Sequence, residues 1–261
     1  MKNIILCPIL LTFFSCNNSV KEAPNMPGAY LMTYQILNDG KTDSKYPTRK
    51  QLKIYTEDFL MYAQVNTVDS VSSFGVGSYT TDSGAVIEHI IYRSADTTYF
   101  ETPVTYKLHI TKTTDGYEQV IPEIVLDSVK YTLTEIYETA GSDTKSPLDG
   151  VWKETNSYIV NGTDTTKNVR TQFKAFYAGS FMFGHTFKDS ASKIHTGIGF
   201  GTFEMAGNNK MKETDLNSTY QIIAGQSFDI DVELMGTDHY KQVITNPDGS
   251  KSVEFYERLK K

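Results

Sequence analysis

Two polar triplets stand out as residues able to do chemistry: Arg49, Gln51 and Lys53, and again Arg170, Gln172 and Lys174. Side chains at i, i+2 and i+4 of a strand share one face. Each triplet therefore forms a basic, hydrogen-bonding stripe, with Leu52 and Ile54, or Phe173 and Ala175, on the opposite face. Two placements follow. The simpler puts the stripe in solvent and the apolar residues in a core. The other turns the stripe into the lumen of a closed sheet, where Arg and Lys are suited to hold a ligand carboxylate. Glu88 and Glu213, and Glu135 and Glu254, also hold corresponding positions. Paired carboxylates can act as acid and base, but on two related strands they are expected to face outward.

Other chemistry is thin. His89, His109, His185, His195 and His239 are scattered, without the H-E-x-x-H spacing or a His-x-His pair, so no metal site is expected. There is no G-x-S-x-G nucleophile motif. The G-x-G elements at Gly75 and Gly199 sit inside strands with no helix after them. They are expected to relieve crowding or bend the sheet rather than to cradle phosphate. No catalytic residue and no cofactor is expected.

The elements that must position these residues occur twice, about 120 residues apart. Gly28-Ala29-Tyr30 matches Gly150-Val151-Trp152, and the segment 49–55 matches 170–176. Met61-Tyr62-Ala63 falls on Met182-Phe183-Gly184, and Gly75-Val76-Gly77-Ser78-Tyr79 on Gly199-Phe200-Gly201-Thr202-Phe203. Tyr117-Glu118-Gln119-Val120-Ile121 matches Tyr240-Lys241-Gln242-Val243-Ile244, and Glu135-Ile136-Tyr137-Glu138 matches Glu254-Phe255-Tyr256-Glu257. Six blocks in one order, with shared Arg, Gln, Lys and Gly positions, indicate duplication. The polar stretch 140–147, with Gly141 and Pro147, reads as the junction between domains 28–140 and 148–261.

Seventeen Tyr, 14 Phe and abundant Thr favour strands. In the first copy alternation predicts strands near 29–37, 50–56, 58–65, 74–81, 85–93, 104–112, 116–122 and 129–138. Turns fall at Asn38-Asp39-Gly40, Asp82-Ser83-Gly84 and Asp115-Gly116, and the second copy has the same series. The expected fold is all-β: two tandem antiparallel up-and-down barrels of about 8–10 strands each, closed so that no edge is exposed.

Gly-x-Trp at a domain start, a mid-domain Gly-x-Gly-[Ser/Thr]-aromatic strand and a closing Glu-x-Tyr-Glu-Arg-Leu together resemble the small lipocalin-like domains of Bacteroidota lipoproteins, a family of unknown function. The resemblance covers 28–138 and 148–260. It implies barrels that hold an apolar or amphipathic molecule, or else barrels filled by side chains that present surfaces to envelope partners. It also implies a structural pair in which Arg258 on the last strand packs on Trp152. The first copy has Tyr30 and Thr139 at those positions.

The N-terminus reads as an export signal over 1–15: Lys2, then an apolar run from Ile4 to Phe14, ending at Ser15-Cys16. Ser-Cys-Asn resembles a loose lipoprotein lipobox, which implies acylation at Cys16, a tether over 16–27 and a membrane-anchored, cell-envelope address, with the outer membrane the expected one. With Cys7 removed and Cys16 acylated, the mature body has no thiol for disulfides, catalysis or metal binding. A net charge of −6 argues against nucleic acid. Asp-[Ser/Thr]-x at Asp69, Asp96, Asp127, Asp164 and Asp189 resembles an O-glycosylation signal of that phylum, and turn chemistry writes the same text.

Overall fold

Period-two alternation broken by Gly- and Asp-rich turns yields eighteen strands, and no helix, among the described residues. The computed structural model describes residues 23–46, 50–65, 72–207 and 209–261. Segment 1–22, with Cys16, and the position of Arg49 lie outside them.

The first half contains β1 (Gly28–Asn38), β2 (Asp43–Tyr46), β3 (Lys50–Tyr55), β4 (Phe59–Val65), β5 (Ser73–Asp82), β6 (Ala85–Arg93), β7 (Tyr99–Lys112), β8 (Gly116–Leu126) and β9 (Val129–Thr139). The second contains β10 (Gly150–Asn161), β11 (Asp164–Lys167), β12 (Thr171–Tyr177), β13 (Ser180–Lys188), β14 (Ile194–Met205), β15 (Lys210–Ser218), β16 (Ser227–Leu234), β17 (His239–Thr245) and β18 (Lys251–Arg258). Sequential antiparallel hairpins are closed by β1 on β9 and by β10 on β18. The result is two closed eight-stranded barrels in tandem, each with one extra strand, β2 or β11, laid on the distal half of its first strand.

The halves share two irregularities, while the shifts at Ile90/Tyr92 and Ile121/Ile124 belong to the first half alone. A bulge interrupts β1 against β9 between Met32 and Tyr34, and β10 against β18 between Glu154 and Asn156. A second interrupts β5 against β6 at Val76/Gly77, and β14 against β15 at Phe200/Gly201. At that bulge a Cβ on Gly77 or Gly201 would collide with the partner strand's backbone carbonyl, of His89 or Thr214. The G-x-G elements thus mark where the sheet bends and strands approach closely.

Each barrel has its own interior cluster. Tyr30, Tyr55, Leu60, Val86, Leu108 and Tyr137 are among those filling the first. Trp152, Phe176, Phe181, Met211, Ile230 and Tyr256 are among those filling the second. Each base is plugged from upstream. Met26 lies buried in the first barrel and its carbonyl accepts from the Tyr30 hydroxyl at 3.1 Å. Leu148 does the same in the second, accepting from Trp152 Nε1 at 2.7 Å. The expected tether therefore ends a little earlier than residue 27, because Met26 belongs to the barrel.

A third cluster lies between the barrels. Leu52, Ile54, Met61, Phe74, Phe173, Ala175, Met182 and Phe200 all belong to it. The expectation that Leu52, Ile54, Phe173 and Ala175 line a barrel core is corrected here. They point outward from their own barrels and are buried against the other one.

Candidate functional site

With their apolar faces turned outward into the inter-barrel contact, β3 and β12 turn their polar faces into the lumens. Gln51, Lys53, Gln172 and Lys174 are 7, 3, 4 and 2 % exposed, so the solvent placement of the stripe is overturned. Strand parity is the physical reason: once one face is fixed, the other must point the opposite way. Glu88, Glu135, Glu213 and Glu254 are also buried rather than outward-facing.

In both lumens these groups build the same network. In the first, Lys53 Nζ donates to Glu88 Oε1 and Gln119 Oε1, each at 3.1 Å. Gln119 Nε2 donates to Glu135 Oε2 at 2.7 Å, the Tyr137 hydroxyl donates to the same oxygen at 2.9 Å, and Gln51 Nε2 donates to Tyr137. In the second, Lys174 donates to Glu213 and, at 3.2 Å, to Gln242 Oε1. Gln242 Nε2 and the Tyr256 hydroxyl each donate to Glu254 Oε2 at 2.6 Å, and Gln172 Nε2 donates to Tyr256. Burial, with the nearby carboxylates, pushes the Tyr137 and Tyr256 phenols well above their ordinary range, which keeps them as donors. A buried charge is tolerated only when paired in this way.

The two lumens then diverge. Where the first barrel has Met32, Gln64 and Ile90, the second has Glu154, His185 and Asp215 at the same register positions. The loop after β15 spans 219–226 where its counterpart after β6 spans 94–98, and the longer loop brings Tyr220 over the mouth. Arg170 Nη2 bridges Glu154 at 2.7 Å and Glu254 at 2.8 Å. His185 Nδ1 lies 3.0 Å from Gln172 Oε1 and Nε2 lies 2.7 Å from the Tyr220 hydroxyl. Since the amide oxygen can only accept, Nδ1 carries the proton and Tyr220 donates to Nε2.

These residues surround a cavity of about 200 Å³ in the second barrel, walled by Phe183, Phe228, Ile230 and Ile244 on its apolar side and covered by Tyr220 and Ile223. The first lumen keeps about 140 Å³ among Gln51, Lys53, Tyr62 and their neighbours. In the larger cavity Asp215, 3 % exposed, has no hydrogen-bond partner on Oδ1 among the described residues. Burial and then the Glu213 charge push its carboxyl up to about 7, against the pull of Lys174. Burial and then Arg170 push the His185 imidazole down to about 4, so it is neutral. Burial alone would raise Glu254, but Arg170, Lys174 and the Tyr256 hydroxyl hold it below the usual range. Arg170 and Lys174 already neutralise carboxylates of the chain itself, so neither stands ready to capture an incoming one.

The pair at the base forms as expected, with the Arg258 guanidinium 4.0 Å from the centre of the Trp152 ring and donating to the carbonyls of Asp149, Pro147 and Thr237. In the first barrel Tyr30 faces Thr139 across the strands, and the cation comes instead from Lys112 on β7, 5.6 Å from the Tyr30 ring centre. Of the Asp-[Ser/Thr] sites, Asp69 falls outside the described residues. Asp96 and Asp127 lie in turns, Asp164 opens β11, and Asp189 Oδ1 accepts from the Ala191 and Lys193 amides at 2.9 Å.

Sequence reasoning missed Gln119, Gln242, Tyr137, Tyr256 and Asp215. The first four stand inside the matched repeat blocks, where their identity in both copies was the available signal. Asp215 carried no such signal, because its counterpart is Ile90. No family model matches the sequence, and no curated protein does.

Proposed function

We propose that this chain is a lipid-anchored cell-envelope protein, of the lipocalin-like kind its sequence resembles, whose second barrel binds a small amphipathic molecule while the first serves as its scaffold. The observation that carries this reading is the cavity around Asp215. A buried polar atom without a partner costs roughly 1–3 kcal/mol, so a site that keeps one in a roomy lumen is poised for a group to satisfy it. Pockets for drug-sized ligands run to roughly 300–1,000 Å³. About 200 Å³ therefore suits a compact molecule and excludes a long acyl chain inside the lumen. Apolar walls on one side and polar groups on the other favour an amphipathic shape.

The first barrel supports the scaffold role. Tyr55, absent from the second barrel, adds a hydroxyl to Glu88, and Ile90 replaces the unpartnered acid. The described chain enters the first barrel at its base through Met26.

Native mass spectrometry of the full chain purified from its own host tests the binding reading. A bound small molecule that leaves on denaturation, and is missing from Ile244→Phe, is the expected result. A bare mass for both proteins contradicts it. The anchor is tested separately: Cys16→Ser should move the protein out of the detergent phase, and unchanged partitioning contradicts acylation there.

A further inference from the structure

We infer that the second barrel selects a small protonated amine, with Asp215 as the counter-ion of its ammonium group. The inference rests on the binding reading above and gives it a ligand class. Among the described residues the charges around the cavity are four carboxylates, Glu154, Glu213, Asp215 and Glu254, against two cations, Arg170 and Lys174. Both cations are engaged: Arg170 holds Glu154 and Glu254, and Lys174 holds Glu213. Asp215 is the acid left over. It is 3 % exposed, its Oδ1 has no partner, and it lines the cavity.

A buried carboxylate acceptor asks for a donor, and a charged donor satisfies it best. A carboxylate or phosphate ligand would instead meet excess negative charge with no free cation among the described residues to offset it. The remaining walls suit an amine. Phe183 stacks on His185, with rings at 11° and centres 6.0 Å apart, and Phe228 and Tyr220 also line the space. Aromatic faces attract cations, and the effect grows when water is excluded. His185 does not compete for Asp215, because both ring nitrogens are occupied and the ring is neutral. The raised Asp215 carboxyl fits too: an ammonium beside it would favour the ionised form.

Calorimetric titration at pH 8 of the full chain, stripped of any co-purified molecule by denaturation and refolding and checked for an empty lumen by native mass spectrometry, separates the possibilities using butylamine, butanol and butyrate. These probes share a tail and differ in head group. Butylamine is expected to bind at least tenfold more tightly than butanol, with butyrate weakest. Asp215→Asn is expected to bring butylamine down to the level of butanol while circular dichroism stays unchanged. Asp215→Ser provides the same comparison if the Asn variant alters the fold. Ile244→Phe should abolish binding of all three. Butyrate or butanol binding as well as butylamine, with Ile244→Phe still abolishing it, overturns the amine assignment and leaves the cavity reading standing. Failure of butylamine to bind, or equal binding to Asp215→Asn, also overturns it, whatever co-purifies from the host.

Discussion

Asp215 and His185 sit in one lumen with displacements of opposite sense, and their effects on stability oppose each other. Asp215 goes from 3.8 in the unfolded chain to about 7 in the folded one. Between those values the folded chain holds a proton that the unfolded chain has released, so stability falls as pH rises from 4 to 7. His185 goes from 6.5 to about 4. There the unfolded chain holds the extra proton, so stability is lost as pH falls from 6.5 to 4. Each slope is at most about 1.4 kcal/mol per pH unit. The two largely cancel below 6.5, with Arg170, Lys174, Glu154, Glu213 and Glu254 as the charged neighbours. Urea unfolding at a series of pH values should therefore give Asp215→Asn a stability that rises from pH 4 to 6.5 relative to the parent. His185→Asn should fall over the same range. Variants that run parallel to the parent contradict the assignment. At this scale the sequence was legible in pairing but not in direction. Period two showed that Gln51 and Lys53, like Arg170, Gln172 and Lys174, share a face. The usual guide, apolar inward and polar outward, then failed. Leu52, Ile54, Phe173 and Ala175 are buried outside their barrels, a burial that only the opposite domain supplies.

At the scale of elements, the strands were readable because hairpin turns and alternation coincide. The expected 85–93 is β6, 116–122 lies within β8 (Gly116–Leu126), and 29–37 lies within β1 (Gly28–Asn38). β2 and β11 escaped notice because Asp43–Tyr46 and Asp164–Lys167 are polar and exposed throughout, and so carry no alternation. Bulges were visible only as glycines. Gly201 is the sharpest case, since any Cβ there meets the Thr214 carbonyl. Gly201→Ala must unmake the bulge or shift β15, and with it Asp215, which pairs with Gly201 across the strands. A loss of roughly 1–3 kcal/mol, typical of overpacking, is expected in chemical denaturation. Gly207→Ala, at an open turn with φ +87°, should cost less and leave any ligand bound. Equal losses for the two would contradict a bulge set by close backbone approach.

On the scale of the whole molecule, the inter-barrel cluster makes two domains one body. Phe173 is its centre. It is fully buried, with ring centres of Tyr92, Tyr99 and Phe74 from the other barrel at 5.2, 6.0 and 6.4 Å. The Tyr92 hydroxyl and Thr186 Oγ1 bond across the same seam at 2.5 Å, and the last residue, Lys261, pairs with Asp58 of the first barrel at 2.5 Å. Scanning calorimetry should show one transition for the parent chain. Phe173→Ala, a buried aromatic truncation costing about 3–5 kcal/mol, should lower it and separate the barrels into two. Two independent transitions in the parent would show that the seam does not couple them. The duplication was legible in six matched blocks, whereas their packing was not, because nothing in one copy marks a face as awaiting the other.

We propose that the second lumen keeps its unpartnered acid for a bound molecule. A high-resolution crystal structure of the full chain, purified from its host without added small molecules, tests it most directly. An ordered non-water molecule is expected in the cavity between Phe183, Phe228 and Tyr220, with a donor within about 3 Å of Asp215 Oδ1. A cavity holding only water, or one closed by side chains with Asp215 bonded to the protein itself, would contradict it.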